Sequence, residues 1–307
     1  MSTLVEVSRF SEEEAREYLE RVLWPAGPVC PHCGTVDNAA KLAGSATRPG
    51  VYKCREKACR RQFTVTVNTI FHRSHIPLRT WVMAFSILVS AKKGVSAAQL
   101  QRELGLGSYQ AAWHMCHRIR HAMAKEPLSG MLSGQVEVDE TYVGGKPRKG
   151  TGEPSKTGRG TKKVPVMVLV ERNGRARAMP IERVNAKTLK GAIRENVDRN
   201  SMILTDEWAA YKGIGKEFRR GHFSVNHGAG EYARGGAHTN TAESFFALLK
   251  RGVYGSFHHV SKQHLARYVD EFAFRWNTRG IKDADRMVEA LKCTPGRRLT
   301  YASPKGR

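Results

Sequence analysis

Four cysteines in two close pairs constrain the fold of the first part of this chain more than any other feature. The pairs are Cys30/Cys33 and Cys54/Cys59. Each pair fits a tight turn, Gly34 suits the left-handed backbone of such a turn, and four thiolates complete a tetrahedral zinc shell. A segment of about 35 residues has too small a core to fold without such a metal. We therefore expect a zinc ribbon over residues 29–65 that holds Zn²⁺ for structural reasons.

Two other interpretations of these cysteines stay open: reduced structural thiols, or a site in which His32 replaces one thiolate.

No apolar run is long enough to span a membrane, and residues 1–10 lack the basic and apolar stretches of a secretory leader. We expect a soluble, cytoplasmic protein with no membrane partner. In that compartment, closely paired cysteines favour metal binding over disulfides.

The charge balance indicates a polyanionic partner. The chain of 307 residues carries 51 Lys and Arg against 28 Asp and Glu, for a formal net charge of +23. Such an excess is the electrostatic footprint of nucleic-acid binding. Carboxylates close to a phosphate would repel it unless a divalent cation lies between them. Acidic residues in conspicuous positions therefore predict metal-dependent chemistry.

Helical patterns surround the cysteine segment. Residues 1–28 form an N-terminal helical segment, with a Ser11 cap and apolar residues at helical spacing up to Leu23. Residues 76–127 resemble a helix-turn-helix whose last helix presents an exposed face for the DNA major groove. That face is predicted to include Gln110, His114, His117, Arg118 and Arg120, with Arg118 and Arg120 as DNA contacts. A plain helical hairpin between two domains explains the same periodicity.

Residues 131–280 predict an α/β domain. An alternating strand from Gln135 to Val143 is followed by a basic loop from Lys146 to Lys163, with seven basic residues and one acid. A strand pair around Asn173-Gly174, a helix, two further strands and C-terminal helices follow, which is a ribonuclease H-like layout. In the basic loop we expect DNA phosphates to be contacted by Lys149, Lys156, Arg159 and Lys163. Residues 281–307 are predicted to be a basic C-terminal tail.

Three acids follow one another at ends of the predicted elements: Asp139, Asp206 and Glu243. Taken singly, each is an ordinary surface charge or helix cap. Together, Asp139 and Asp206 on adjacent strands and Glu243 on a helix could share hard cations, which serve both oxygens of a phosphodiester exchange. We expect these acids to hold catalytic Mg²⁺ or Mn²⁺.

The segment around Glu243 gives the sharpest local pattern. Glu243 and Lys250 are nearly two helical turns apart and project from one face, so one can hold metal while the other contacts phosphate. Asn240 could touch the same metal or cap the helix, and we favour capping. His238 is assigned no catalytic role.

Five segments carry specific motifs: Glu137–Lys146, Asp206–Tyr211, His238–Lys250, Gly255–Lys262 and Tyr268–Asn277. Together they resemble the ISXO-like bacterial insertion-sequence transposases of the DDE superfamily, and the similarity extends to the zinc ribbon. The resemblance implies an acidic triad with Mg²⁺ that nicks transposon ends and joins the freed 3′-hydroxyls to target DNA. It implies Asp139, Asp206 and Glu243 as the triad, with Lys250 as a helper contact. Some family members place Asn at the third position, which leaves Asn240 as a rival ligand.

The main hypothesis is a DNA transposase whose partners are the terminal inverted repeats and the target DNA, acting as a homo-oligomer on DNA. A rival hypothesis is a DNA-binding regulator that keeps the fold and has lost the chemistry. A nuclease of the same fold is the third, although it would have less use for two DNA-reading appendages.

Overall fold

The computed structural model describes residues 3–44, 47–124, 130–144, 161–225 and 238–300. The chain divides into two compact units, one of residues 1–125 with 280–307 and one of residues 126–279. No helix of the described ranges is long and apolar enough to cross a membrane.

The first unit opens with helices and a small sheet. The helices are α1 (Leu4–Ser8) and α2 (Glu12–Leu23), and the strands are β1 (Ala39–Lys41), β2 (Tyr52–Cys54) and β3 (Gln62–Phe63). Ser11 caps α2 through a capping box with Glu14, as the sequence predicts. The strands form an antiparallel sheet in the order β1-β2-β3. Its small core stacks Tyr52 on Phe63 and sets the Trp24 ring edge-on against both.

Three helices follow the sheet: α3 (Leu78–Ser90), α4 (Ala97–Leu104) and α5 (Tyr109–Met123). The side chains of Ser96 and Ser108 cap α4 and α5, and Gly105 ends α4 in the left-handed conformation. These helices confirm the predicted helical pattern.

The predicted exposed face of α5 is wrong for three of its five residues, although Gln110 is exposed as predicted. His117, Arg118 and Arg120 are all buried, whereas Tyr109 and Gln110 in the first turn are exposed. Long side chains bury their apolar stems and find partners for their polar ends. The Arg118 guanidinium lies over the Trp81 ring and donates to the His72 carbonyl at 2.8 Å, and Arg120 donates to the Val95 carbonyl at 3.5 Å. Both arginines therefore support the interior of the helical unit, and their assignment as DNA contacts is withdrawn.

The second unit is built on a mixed five-stranded sheet. Its strands are β4 (Gln135–Val143), β5 (Val164–Glu171), β6 (Ala176–Pro180), β7 (Met202–Asp206) and β8 (His222–Val225). The order is β6-β5-β4-β7-β8; the first three pair antiparallel, and β7 and β8 continue in parallel. Asn173 takes a positive φ in the predicted turn between β5 and β6. The two further strands that the sequence predicts after the helix are β7 and β8.

Helices cover both faces of this sheet. They are α6 (Ala186–Asn196), α7 (Asn240–Gly252) and α8 (Leu265–Asn277). On one face Val136 and Val138 pack with residues of α6. On the other, Val168 packs with Phe245 of α7 and Phe272 of α8. The outcome is a mixed α/β unit in which side chains of successive β4 residues point to different helical layers.

The predicted basic tail is also partly wrong, because it contains helix α9 (Asp283–Lys292) of the first unit. Met287, Ala290 and Leu291 are buried along one face of α9, which contacts α2, α3 and α5. Arg286 donates to the Val89 carbonyl at 3.1 Å, near the end of α3. The short amphipathic pattern of α9 was overlooked in the sequence because the residues around it are rich in positive charge.

Candidate active site and metal centre

Two of the predicted acids lie side by side on the central strands. The β4–β7 register pairs Gln135 with Met202 and Glu137 with Leu204, and the same offset sets Asp139 beside Asp206. Asp206 is the last residue of β7, whereas Asp139 lies in the middle of β4 and not at its end. Neighbouring residues of paired strands point to the same face of the sheet. The two carboxylates therefore share the face that carries α7 and α8.

Glu243 approaches the pair from the first turn of α7, where its side chain is exposed. Burial, together with the negative charges of Glu140, Asp206 and Glu243, raises the pKa of Asp139 to about 7. Asp206 and Glu243 thus both lie within electrostatic range of Asp139. The three acids are not drawn into one tight cluster: in the described ranges, only the four cysteines form a group of three or more whose ligand atoms all lie within 4.8 Å.

Glu140 points to the other face of β4, toward residues that follow β7. Tyr211 donates its hydroxyl to Glu140 Oε2 at 2.7 Å. Burial and the nearby carboxylates, first among them Glu140, raise the pKa of Tyr211 above its ordinary value. Because Tyr211 stays protonated, it holds the Glu140 carboxylate in a fixed place on that face. The backbone N–H of Trp208 donates to Asp206 Oδ1 at 3.2 Å and orients that acid as well.

The start of α7 is held by a residue to which the sequence gave no role. The carboxylate of Glu137 is fully buried and accepts hydrogen bonds from the backbone N–H groups of Thr241 and Ala242 at 2.8 and 3.1 Å. Arg172 donates to the same carboxylate at 2.8 Å. A buried acid in an apolar strand was the signal available in the sequence, since an unpaired charge there would be costly.

The predicted capping role of Asn240 is wrong. Helix α7 begins at Asn240 and its N-cap residue is Thr239. The Thr239 side chain makes no capping hydrogen bond to the helix. Asn240 is exposed in the first turn. Helix ends leave backbone N–H groups without intrahelical partners, and here the carboxylate of Glu137 satisfies two of them.

The four paired cysteines converge as predicted. Their sulfur atoms all lie within 4.8 Å of one another, with Cys30 to Cys59 at 3.8 Å and Cys33 to Cys54 at 3.7 Å. Four sulfurs at about 2.3 Å from a tetrahedral zinc ion lie about 3.8 Å apart, so the cage fits zinc in size and ligand type. Hydrogen bonds from Thr35 lower the pKa of Cys33 to about 6, whereas burial raises the pKa of Cys30 and raises that of Cys54 to about 12. The positive charge of a bound metal ion would therefore be needed to hold all four as thiolates.

The predicted phosphate-binding loop lies mostly outside the described residues. Lys149, Lys156 and Arg159 belong to that part of the chain. Lys163 is described, half-buried, directly before β5. Lys250 is half-buried in the last turn of α7, seven residues after Glu243.

Comparison with known proteins decides the family. Residues 131–277 match the family described as ISXO2-like transposase domain, and residues 10–62 match the transposase zinc-ribbon domain. A Halobacterium salinarum protein, named as an uncharacterized protein in transposable element ISH50, is 30% identical over 281 residues, which cover 86% of this chain and 90% of the relative. The chain belongs to the ISXO2-like transposase family.

The two matched domains of this transposase-family chain contain both candidate centres. The ISXO2-like transposase domain includes the three acids and Lys250, and the zinc-ribbon match includes all four paired cysteines. A Haemophilus influenzae protein, named as an uncharacterized transposase-like protein, is 29% identical over 112 residues, which cover 36% of this chain and 88% of that protein. Helices α3, α4 and α5 lie between the two matched ranges.

Proposed function

We propose that this protein is a DNA transposase that cleaves insertion-sequence ends to free 3′-hydroxyls and joins them to target DNA. The observation that carries the proposal is the pair Asp139 and Asp206 on neighbouring strands, with Glu243 in the first turn of α7 close enough to raise the pKa of Asp139. The sheet order, with three antiparallel strands followed by two parallel ones, supports a ribonuclease H-like catalytic domain. The net charge of +23 supports DNA as the partner.

The acids fit a pair of divalent cations. They offer oxygen ligands only, which Mg²⁺ and Mn²⁺ prefer, and their mutual repulsion is relieved by positive charge. Ligand oxygens at opposite ends of a pair of ions about 4 Å apart can lie about 8 Å apart, so a site of this kind does not need all three acids in one tight cluster. When bound, the metal ions activate the attacking oxygen and neutralise the leaving oxygen of the phosphodiester.

The protein's own groups supply the frame for this chemistry. Asp139 and Asp206 are fixed on paired strands, which hold ligands more rigidly than loops do. Glu243 is exposed, so it completes the site on the side from which DNA enters. Lys250, nearly two turns further along α7, contacts a DNA phosphate in this scheme. The zinc ribbon and the helices α3 to α5 serve end recognition, and pairing of two ends on DNA implies a homo-oligomer.

The test is strand transfer with DNA carrying the inverted repeats that flank the gene. Asp139→Ala and Asp206→Ala should abolish cleavage and joining while end binding stays near normal, since the acids hold metal and not phosphate. The control is Glu195→Ala, an exposed acid on α6. Activity should need Mg²⁺ or Mn²⁺ and fail with Ca²⁺, whose looser coordination misplaces the oxygens. Joining by either Asp variant would refute the assignment, and end binding without cleavage by the wild type would favour a regulator.

A further inference from the structure

Helix α7 carries Glu243 toward the strand acids, yet its own sequence does not fix where it begins. The side chain of the N-cap residue Thr239 does not cap the helix, and Asn240 is exposed. The first backbone N–H groups of the helix must therefore be satisfied from outside it.

Glu137 of β4 fills that role with both carboxylate oxygens. Oε2 accepts from the backbone N–H groups of Thr241 and Ala242 at 2.8 and 3.1 Å, and Oε1 accepts from the Thr241 hydroxyl at 2.9 Å. A carboxylate at a helix N-terminus also interacts favourably with the helix dipole. The contact therefore ties one strand residue to the first turn of α7.

Arg172, directly after β5, completes this contact from the other side. Its Nε donates to Glu137 Oε1 at 2.8 Å, and its two terminal nitrogens donate to Gln135 Oε1 at 2.7 Å and to the His238 carbonyl at 3.0 Å. His238 Nδ1 lies 3.3 Å from Glu137 Oε1, at an angle that makes no hydrogen bond. The group formed by Glu137, Arg172, Thr241 and Ala242, here called the α7 clamp, thus joins two strands and one helix.

The clamp lies next to the candidate metal ligands on both of its elements. Glu137 precedes Asp139 by two residues on β4, so both side chains point to the α7 face of the sheet. Thr241 and Ala242 directly precede Glu243. We propose that Glu137 is a positioning residue that sets Glu243 against Asp139 and so tunes divalent-metal binding. The inference rests on the proposed function and deepens it.

A purely structural role explains the clamp less well. Buried ion pairs are often replaced by apolar residues of similar volume without loss of stability, so burial alone gives no reason for a charge at this position. Hydrogen bonds from a strand to a particular turn of a helix, in contrast, set where that turn lies along the strand. An apolar side chain could fill the space but could not select the turn.

The informative variants are Glu137→Gln and Thr241→Val. Each carboxylate oxygen of Glu137 accepts from at least one group that is a donor only, the Arg172 guanidinium at Oε1 or the backbone N–H groups at Oε2. The NH₂ of Gln would therefore face such a donor in either orientation, although the Thr241 hydroxyl and His238 Nδ1 beside Oε1 can accept. Thr241→Val removes a single hydroxyl and serves as the mild variant if Glu137→Gln folds poorly. The matched control is Glu271→Gln, which breaks the buried ion pair between Glu271 and Arg275 on α8.

The first readout is amide hydrogen exchange in metal-free protein. Exchange in the first turn of α7 should rise in Glu137→Gln while the last turn of α7 keeps its protection. The second readout is direct Mn²⁺ binding, measured by electron paramagnetic resonance. Glu137→Gln should weaken Mn²⁺ binding by about 10-fold or more, because residues that orient metal ligands contribute on this scale. Thr241→Val should shift both readouts in the same direction by less. Glu271→Gln should leave both unchanged, whatever it does to the melting temperature.

Two results would overturn the proposal. One is a folded Glu137→Gln variant whose Mn²⁺ affinity and amide exchange in α7 equal those of the wild type. The other is an equal loss of Mn²⁺ affinity in Glu271→Gln, which would mean that general destabilisation explains the effect. Failure of the proposed function looks different: the wild-type protein itself would bind no Mn²⁺ at the acids, and Asp139→Ala would change neither binding nor strand transfer.

Discussion

The substitution Gly252→Ala at the end of α7 sets two effects against each other. Gly252 has helical backbone angles, φ −70° and ψ −49°, so Ala would remove the helix penalty of Gly, a gain of about 1 kcal/mol. A Cβ at this position would, however, lie 2.9 Å from both Cε atoms of Phe272 on α8 and still closer to its Cζ. Which effect is larger decides the sign of the change in stability.

The structure favours the clash. Phe272 is fully buried, its ring packs edge-on against Phe257, and the Arg275 guanidinium lies over its face. The ring therefore has no free space to move into, and α7 must shift from α8 instead. Overpacking of this kind costs about 1–3 kcal/mol, which exceeds the helix gain at the upper end of that range. After subtraction of the helix gain, we expect Gly252→Ala to destabilise the second unit by up to about 2 kcal/mol.

Calorimetric melting of the full chain measures this effect. The matched control is Gly191→Ala within α6, where an added Cβ meets nothing within 4 Å and should stabilise by about 1 kcal/mol. The double variant Gly252→Ala/Phe272→Leu should recover part of the loss, because Leu lacks the outer ring atoms. A higher melting temperature for both single Ala variants would refute the steric argument.

Three further predictions concern the metal sites and the basic loop. Cys30→Ser/Cys54→Ser should lose zinc by elemental analysis and weaken end binding while the second unit keeps its melting transition; one zinc retained per chain would contradict the four-cysteine site. Glu243→Gln should lose most strand transfer and need more Mg²⁺, whereas exposed Asn240→Ala should keep both activity and stability; the opposite result would make Asn240 the third ligand. The last prediction neutralises four positions of the basic loop, Lys149, Lys156, Arg159 and Lys163. The slope of log affinity against log salt concentration should become shallower by up to about 0.9 per lost phosphate contact, with little change in specificity. A loss of specificity at an unchanged salt slope would show that the loop reads bases.

Local signals in the sequence were sufficient for most of the elements. The predicted cap at Ser11 marked a helix start that the structure confirms, and Ser96, Ser108 and Asn185 cap α4, α5 and α6 in the same way, because a cap bonds backbone only three residues away. The Asn173-Gly174 turn and the paired cysteines were equally local. Each of these features depends on nearby residues, whose spacing is visible in the chain.

The failures share a different cause. Arg118 and Arg120 were assigned to the surface because charge was equated with exposure, whereas their partners are a ring and carbonyl groups far away along the chain. Helix α9 was taken for a tail because its buried residues are outnumbered by charges around them. In both cases tertiary packing decided the burial of residues whose type alone suggested solvent.

The position of α7 shows why a catalytic site is harder to predict than its residues. The three acids could be chosen from the sequence because each has a chemically suitable side chain near a predicted element. Their geometry depends on Glu137, whose bond to the Thr241 backbone joins residues 104 positions apart. A local cap at Asn240 was the simpler prediction, and it would have left the helix start unconnected to β4. Because the strand supplies the cap, the residue that fixes the helix start lies two positions from a candidate metal ligand, so substitutions at Glu137 should change metal binding without touching a metal ligand.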